Sequence, residues 1–233
     1  RRVTKIAIRA MDNAIDLTKY PSKKTETTQK ERRSVGLGAL GEAELIAHRK
    51  IEYGSDEHLE LIDYIYGIIE DEANKTTREL AIEKGPCIIP DVRNAYLMCI
   101  APNSTSGLFA GTTNSHEPVY NKKWTEENKL GQFTMTAPNL TIENYVYYKN
   151  PYEINIMTQI KVAARRQKHI DMSQSFNIHM LPVGLKLSEI REVIRFAHKS
   201  GLKTTYYFRS KPPKVNDITA PKKSAVKCSG CEN

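Results

Sequence analysis

Cysteine is scarce in this 233-residue chain, with four in all, and tryptophan occurs once. Four thiols do not make the framework of a small secreted domain. Two of them, Cys87 and Cys99, lie in apolar surroundings, and a reducing cytoplasmic setting fits them better. No apolar run approaches the roughly 18 to 20 residues of a membrane-spanning helix. A signal-peptide pattern is also lacking. There is no initiator methionine; the chain opens on Arg1-Arg2, as a processed or excised segment would. A second Cys-x-x-Cys and a His-x-x-x-His run are both missing, so a four-ligand zinc site cannot be completed and no metal is expected. At 39% hydrophobic residues the chain can still bury a core, in one large domain or two small ones.

What the chain does have is a Cys-x-x-Cys at its end, Cys228-Ser229-Gly230-Cys231. Ahead of it runs a Lys- and Pro-rich stretch from Lys211 to Lys227 that packs poorly, so residues 211–233 read as a flexible tail. Two thiols at this spacing are a zinc half-site, a redox dithiol or a pair of exposed cysteines. With no further zinc ligands in view, a dithiol on an arm of r.m.s. reach roughly 20–25 Å is favoured. The net charge is +8. Part of it sits in the tail, at Lys211, Lys214, Lys222, Lys223 and Lys227, opposed by Asp217. Part is the run Lys161, Arg165, Arg166 and Lys168 on one expected helix. Both read first as solvated faces, although an anionic partner such as RNA would profit from the same field.

Helical and strand patterns alternate along the chain, which argues for an α/β fold. Apolar spacing predicts a helix from Val3 to about Tyr20, stopped by Pro21, then a polar loop over Ser22–Lys30. Ser34–Gly41 reads as a short glycine-bearing strand or turn feeding a helix from Glu42 to Arg49. Its Gly36-x-Gly38-x-x-Gly41 fits a dinucleotide fingerprint, but a helix occupies the place where the acidic strand end should follow, and nucleotide binding is disfavoured. A long helix capped by Ser55 runs to Lys84, with Leu59, Ile62, Ile65, Tyr66 and Ile69 on its inner side and Gly85-Pro86 as the stop. Tyr96–Ala101 reads as a strand covered on both faces. A helix over Tyr152–His169, a strand over Gln174–His179, a helix over Ser188–Ser200 and a last strand over Lys203–Arg209 complete the pattern.

Two further constellations carry chemistry. Ala101-Pro102-Asn103-Ser104-Thr105-Ser106-Gly107 follows a buried strand, where α/β folds place their ligands. Its hydroxyls and free N–H groups can cradle a phosphate, or simply form a polar turn. Tyr206-Tyr207 lies on the last strand, shortly before the tail dithiol. Tyrosine is common in strands. Adjacent phenols within stacking distance can also relay an electron and proton, but strand neighbours face opposite ways, so stacking requires a departure from regular geometry.

In this order, together with Arg166-Gln167-Lys168-His169-Ile170-Asp171-Met172-Ser173-Gln174-Ser175, Arg32-Arg33-Ser34-Val35-Gly36-Leu37-Gly38 and Arg9–Asp16, these motifs resemble the C-terminal part of the large subunit of aerobic, class I ribonucleoside-diphosphate reductases. The resemblance covers essentially the whole chain. It implies that residues 1–210 are the C-terminal segment of the family's ten-stranded α/β barrel. Ser104, Thr105 and Ser106 would hold a substrate diphosphate on a loop shaped by Pro102 and Asn103. Tyr206 and Tyr207 would relay a radical from a metal-containing small subunit, and the helix over Ser188–Ser200 would receive that subunit's tail. Cys228 and Cys231 would reduce the active-site disulfide and be reduced by thioredoxin or glutaredoxin.

The family's finger-loop motif, like Asn-x-Cys-x-Glu, has no match here; Cys87 and Cys99 lack those neighbours. The resemblance therefore implies a split subunit, with the thiyl cysteine and the allosteric nucleotide sites on a separate N-terminal polypeptide and no cofactor bound by this segment. A basic RNA-binding or metal-binding interaction module is the alternative. Neither a membrane nor, on the reductase reading, a nucleic acid is an expected partner.

Overall fold

The computed structural model describes residues 1–128, 131–180 and 186–210. Helix α1, Arg2–Leu17, places Thr4, Ile8, Asp12 and Ile15 on one buried stripe. That stripe lies on helix α4, Asp56–Lys84, whose Ser55 cap accepts a hydrogen bond from the His58 amide at 3.2 Å. Gly85, at φ +86°, ends α4 as expected. Ile6 and Leu17 face away and stay exposed. Arg9–Glu83 and Lys5–Glu79 pairs, each 2.6 Å, join the two helices at the surface.

The polar stretch expected as a loop over Ser22–Lys30 is instead helical, forming α2, Lys23–Arg32. Its stability is local: Ser22 Oγ caps the Thr25 amide, and Glu26 pairs with Lys30 one turn on at 2.7 Å. It buries no residue, so apolar periodicity had nothing to report there. It stops at Arg33, which adopts a left-handed φ of 50° and sends its guanidinium to Asp12 and Asp16 of α1, each at 2.8 Å. Asn94 Nδ2 also donates to Asp12.

Four short segments run parallel and are hydrogen-bonded in order: residues 35–37, 97–100, 172–178 and 206–210. Val35 and Leu37 donate to Tyr96 and Leu97, and Cys99 donates back to Leu37. Ile100 and Gln174 form the next parallel bridge. Strand β3, Ile178–Met180, then pairs with β4, Phe208–Ser210, in the register Ile178↔Phe208. Gly36 and Gly38 are there for close approach to the neighbouring segment. A Cβ at Gly38 would stand 2.6 Å from the Cys99 carbonyl oxygen. Leu97, Met98 and Ile100 are buried as expected, whereas Tyr96 is exposed. The described residues form no closed barrel.

Helix α3, Glu42–His48, follows the first segment; α5, Ser104–Ala110, follows the second. An antiparallel hairpin of β1, Lys123–Asn128, and β2, Gly131–Thr136, was not expected from the sequence. The helix expected over Tyr152–His169 begins only at Ile156, because Pro151–Glu153 form a 3₁₀ turn and Asn155 caps α6, Ile156–Gln167. Helix α7, Leu187–Lys199, packs Val193 and Ala197 inward against Ile160, Phe176 and Ile178, while Ile194 is half-exposed. No helix among the described residues is long and apolar enough to cross a membrane.

Candidate functional site

The hydroxyl-rich loop leaves the second segment directly after Ile100. Helix α5 starts at Ser104, and the first amide bonded within it is that of Gly107, to the Asn103 carbonyl at 2.9 Å. The amides of Ser104, Thr105 and Ser106 thus have no intrahelical acceptor, as at any helix start. The side chains of these three residues and of Pro102 are exposed. Asn103 makes no cap bond, and its buried Oδ1 has no hydrogen-bond partner. Gly107 permits the chain to double back: a Cβ there would meet Asn114 Oδ1 at 2.5 Å.

Tyr206 and Tyr207 are brought into ring contact, with centroids 4.0 Å apart and planes tilted by 45°. Both rings are about half-exposed. A hydrogen bond to Tyr207 raises the Tyr206 phenol above its ordinary pKa. The guanidinium of Arg209 lies 5.6 Å from the Tyr207 ring centroid. The strand expected over Lys203–Arg209 is regular only from Phe208, and the tyrosines precede that point. Ile100 lies opposite Gln174, and the tyrosines lie opposite Asn177, three residues further. The hydroxyl loop thus follows the second segment and the phenol pair opens the fourth, with the 172–178 segment between them.

Behind the tyrosines is a buried polar group that sequence reasoning missed. Gln159 Nε2 donates to the carbonyls of Pro151 and Ile154, so its Oε1 must accept from His179 Nδ1 at 3.3 Å. His179 Nε2 is then left to accept the Tyr120 hydroxyl proton at 2.6 Å. Burial, and then the Arg209 charge, depress His179 to about 4, so it is neutral. Glu117 is pushed up by burial, although Asn177 donates a hydrogen bond to it. Gln174, Asn177 and His179 are polar residues of the segment expected as a strand, yet each is at most 4% exposed. Their partners are other polar side chains: Arg166 for Gln174, Glu117 for Asn177, and Tyr120 and Gln159 for His179.

The second buried group corrects the reading of the basic run. Arg166, taken as part of a solvated face, is wholly buried. It donates to Glu42 Oε2 at 2.8 Å and to Gln174 Oε1 at 2.7 Å. His58 Nε2 stands 3.3 Å from the other Glu42 oxygen. Burial would raise Glu42, but the Arg166 charge and the His58 contact pull it down to about 2. Burial and the same arginine depress His116 to about 3. Arg165 pairs with Asp63, which leaves Lys161 and Lys168 as the exposed cations of the run. The group underpins the hydroxyl loop, because the Gly41 and Glu42 amides donate to the carbonyls of Thr113 and Ser115 just beyond α5.

Cys87 and Cys99 are free and half-buried, and burial raises the Cys99 thiol. Cys228 and Cys231 lie outside the described residues. Among the described residues no group of three or more His, Cys, Asp or Glu is placed to hold a metal.

The family model for the ribonucleotide reductase barrel domain matches residues 1–88 and 91–208. A ribonucleoside-diphosphate reductase subunit alpha from Helicobacter pylori is 35% identical, with 100% of this chain and 35% of the relative covered. One from Treponema pallidum is 30% identical, with 93% and 29% covered. The alpha subunit of a class Id ribonucleotide reductase from Actinobacillus ureae has the same fold, with a TM-score of 0.74 at 24% identity over 90% of this chain and 45% of that one. The chain thus spans about a third of the length of these curated relatives.

Proposed function

Because the chain belongs to the ribonucleotide reductase barrel-domain family, we propose that it is the C-terminal part of a ribonucleoside-diphosphate reductase large subunit. On this reading it supports reduction of ribonucleoside diphosphates at the 2′ carbon, for DNA synthesis. The observation that carries the proposal is the pair of phenols 4.0 Å apart, out of regular strand geometry, at the start of the last strand segment. Ser104, Thr105 and Ser106, on the loop shaped by Pro102 and Asn103, bind the diphosphate through hydroxyls and free amides. Tyr207 and Tyr206 each give up an electron and a proton in turn, passing the radical from the metal-containing small subunit toward a thiyl cysteine. That cysteine and the allosteric nucleotide sites lie in the part of the large subunit that these 233 residues do not span. The deciding experiment is complementation: this chain with the small subunit will leave CDP unreduced, and adding the remainder of the large subunit will start turnover. Turnover without it would show that the thiyl cysteine lies within these residues.

The tail dithiol has a separate test. Its thiolate attacks the active-site disulfide, a mixed disulfide forms, and the second tail thiol releases the reduced pair while the tail itself becomes the disulfide. Thioredoxin or glutaredoxin then reduces the tail. Cys228→Ser or Cys231→Ser will abolish turnover driven by the protein reductant, while dithiothreitol, which enters without the arm, will restore much of the rate. Zinc in the purified protein, with no rescue by small thiols, would replace the shuttle with a metal site.

A further inference from the structure

The two tyrosines stack because of a bulge. In a regular parallel pair Tyr207 would stand opposite Asn177, its amide on the Phe176 carbonyl and its own carbonyl accepting from the Ile178 amide. Here Tyr206 takes the Phe176 carbonyl at 2.8 Å, and Tyr207 accepts from Ile178 at 2.8 Å. Two residues therefore occupy the place of one, which is what lets neighbouring side chains share a side. The inserted residue leaves one amide without a ladder partner, that of Tyr207, and Asn177 Oδ1 accepts from it at 3.3 Å. Asn177 Nδ2 in turn donates to the carboxylate of Glu117. Asn177 is 4% exposed, so no solvent competes for its amide, and Glu117 fixes which way that amide points.

We propose that Asn177, oriented by Glu117, is the positioning residue that holds the bulge and thereby the Tyr206–Tyr207 stack. The functional consequence rests on the relay reading above; the structural consequence does not. An amide lost from Asn177 leaves the Tyr207 N–H unpaired, and the cheapest repair is to restore the regular ladder, which turns the two rings to opposite sides.

The test uses the assembled reductase with 3-fluorotyrosine at position 206, whose fluorine shift reports the neighbouring ring; Tyr207→Leu supplies the unstacked value. Asn177→Leu is expected to move the shift to that value and to lower CDP turnover by about tenfold or more, with KM for CDP unchanged within about twofold. Glu117→Leu, which keeps the Tyr207 bond but frees the amide, moves both in the same direction if Asn177→Leu does not fold. The Glu117→Gln/Asn177→Asp double variant keeps both hydrogen bonds with one reversed, since the amide introduced at position 117 donates where Asn177 did. It is expected to restore the stacked shift and most of the rate. A stacked shift in Asn177→Leu, or no restoration in the double variant, overturns the proposal. An unstacked shift with full turnover supports the positioning role and overturns the relay.

Discussion

Replacing Tyr206 or Tyr207 with phenylalanine will lower CDP turnover in the assembled enzyme by ~1000-fold or more, about 4 kcal/mol of barrier. Phenylalanine keeps the ring but has no O–H to lose with the electron, so a stepwise relay stops at either position. Both rings are about half-exposed, and stability should change by no more than about 0.5 kcal/mol. The internal control is the other tyrosine pair. Tyr148 is 1% exposed and donates its hydroxyl to the Pro138 carbonyl. Tyr148→Phe will therefore cost about 1 kcal/mol of stability and leave turnover nearly intact. Unfolding curves and turnover on the four Phe variants separate the two pairs. Loss of activity at 147–148 with none at 206–207 would remove the relay from the last strand.

The second large effect is on stability. Arg166→Met will destabilise the protein by about 3–5 kcal/mol, because it strands the buried Glu42 charge. Glu42→Gln in addition will recover much of the loss, since neither charge then remains buried. The pH profile provides a sharper sign. In the native protein Glu42 titrates at about 2, below the ordinary 4.5. A depressed carboxylate contributes stability that is present above its ordinary value and lost as pH falls from about 4.5 through 2. Without Arg166 the largest influence opposing burial is gone, and burial, countered by His58 and His116 alone, raises Glu42. Its contribution then reverses, and Arg166→Met gains stability as pH falls from neutrality toward the ordinary 4.5. Chemical denaturation across that range reads the slope directly. A parallel pair of profiles would show that Arg166 does not hold the Glu42 charge.

Most of the helical frame was legible because its signals are local. Ser55, Gly85 and Gly201 mark ends that the structure keeps, and the spacing of Ile8, Ile15, Ile62 and Tyr66 marks the faces that are buried. Helix α2 was not legible, since capping and ion pairs stabilise it without any apolar stripe. The hydroxyl loop and the tyrosine pair were found from residue type and order alone. Their support was not. Arg166, Gln174, Asn177 and His179 are polar residues whose burial is decided by chain segments far away in sequence, which a one-dimensional pattern does not show. The bulge had one trace in the sequence: two adjacent phenols asked to stack cannot both belong to a regular strand.

Helix α2 is also fastened unevenly along its length. Its N-terminal turns are fastened by Ser22 and by exposed lysine–glutamate pairs, and nothing on it is buried. Its far end is different. The Glu31 carbonyl accepts from Ile88, the Arg32 carbonyl accepts from Ala95, and Arg33 is anchored on α1. Opening therefore begins at Lys23 and halts at Arg32, a one-way zip whose closed end stays on the core until the whole protein unfolds. Amide protons along these ten residues exchange with solvent in a gradient, fastest at the start and approaching the global rate at the end.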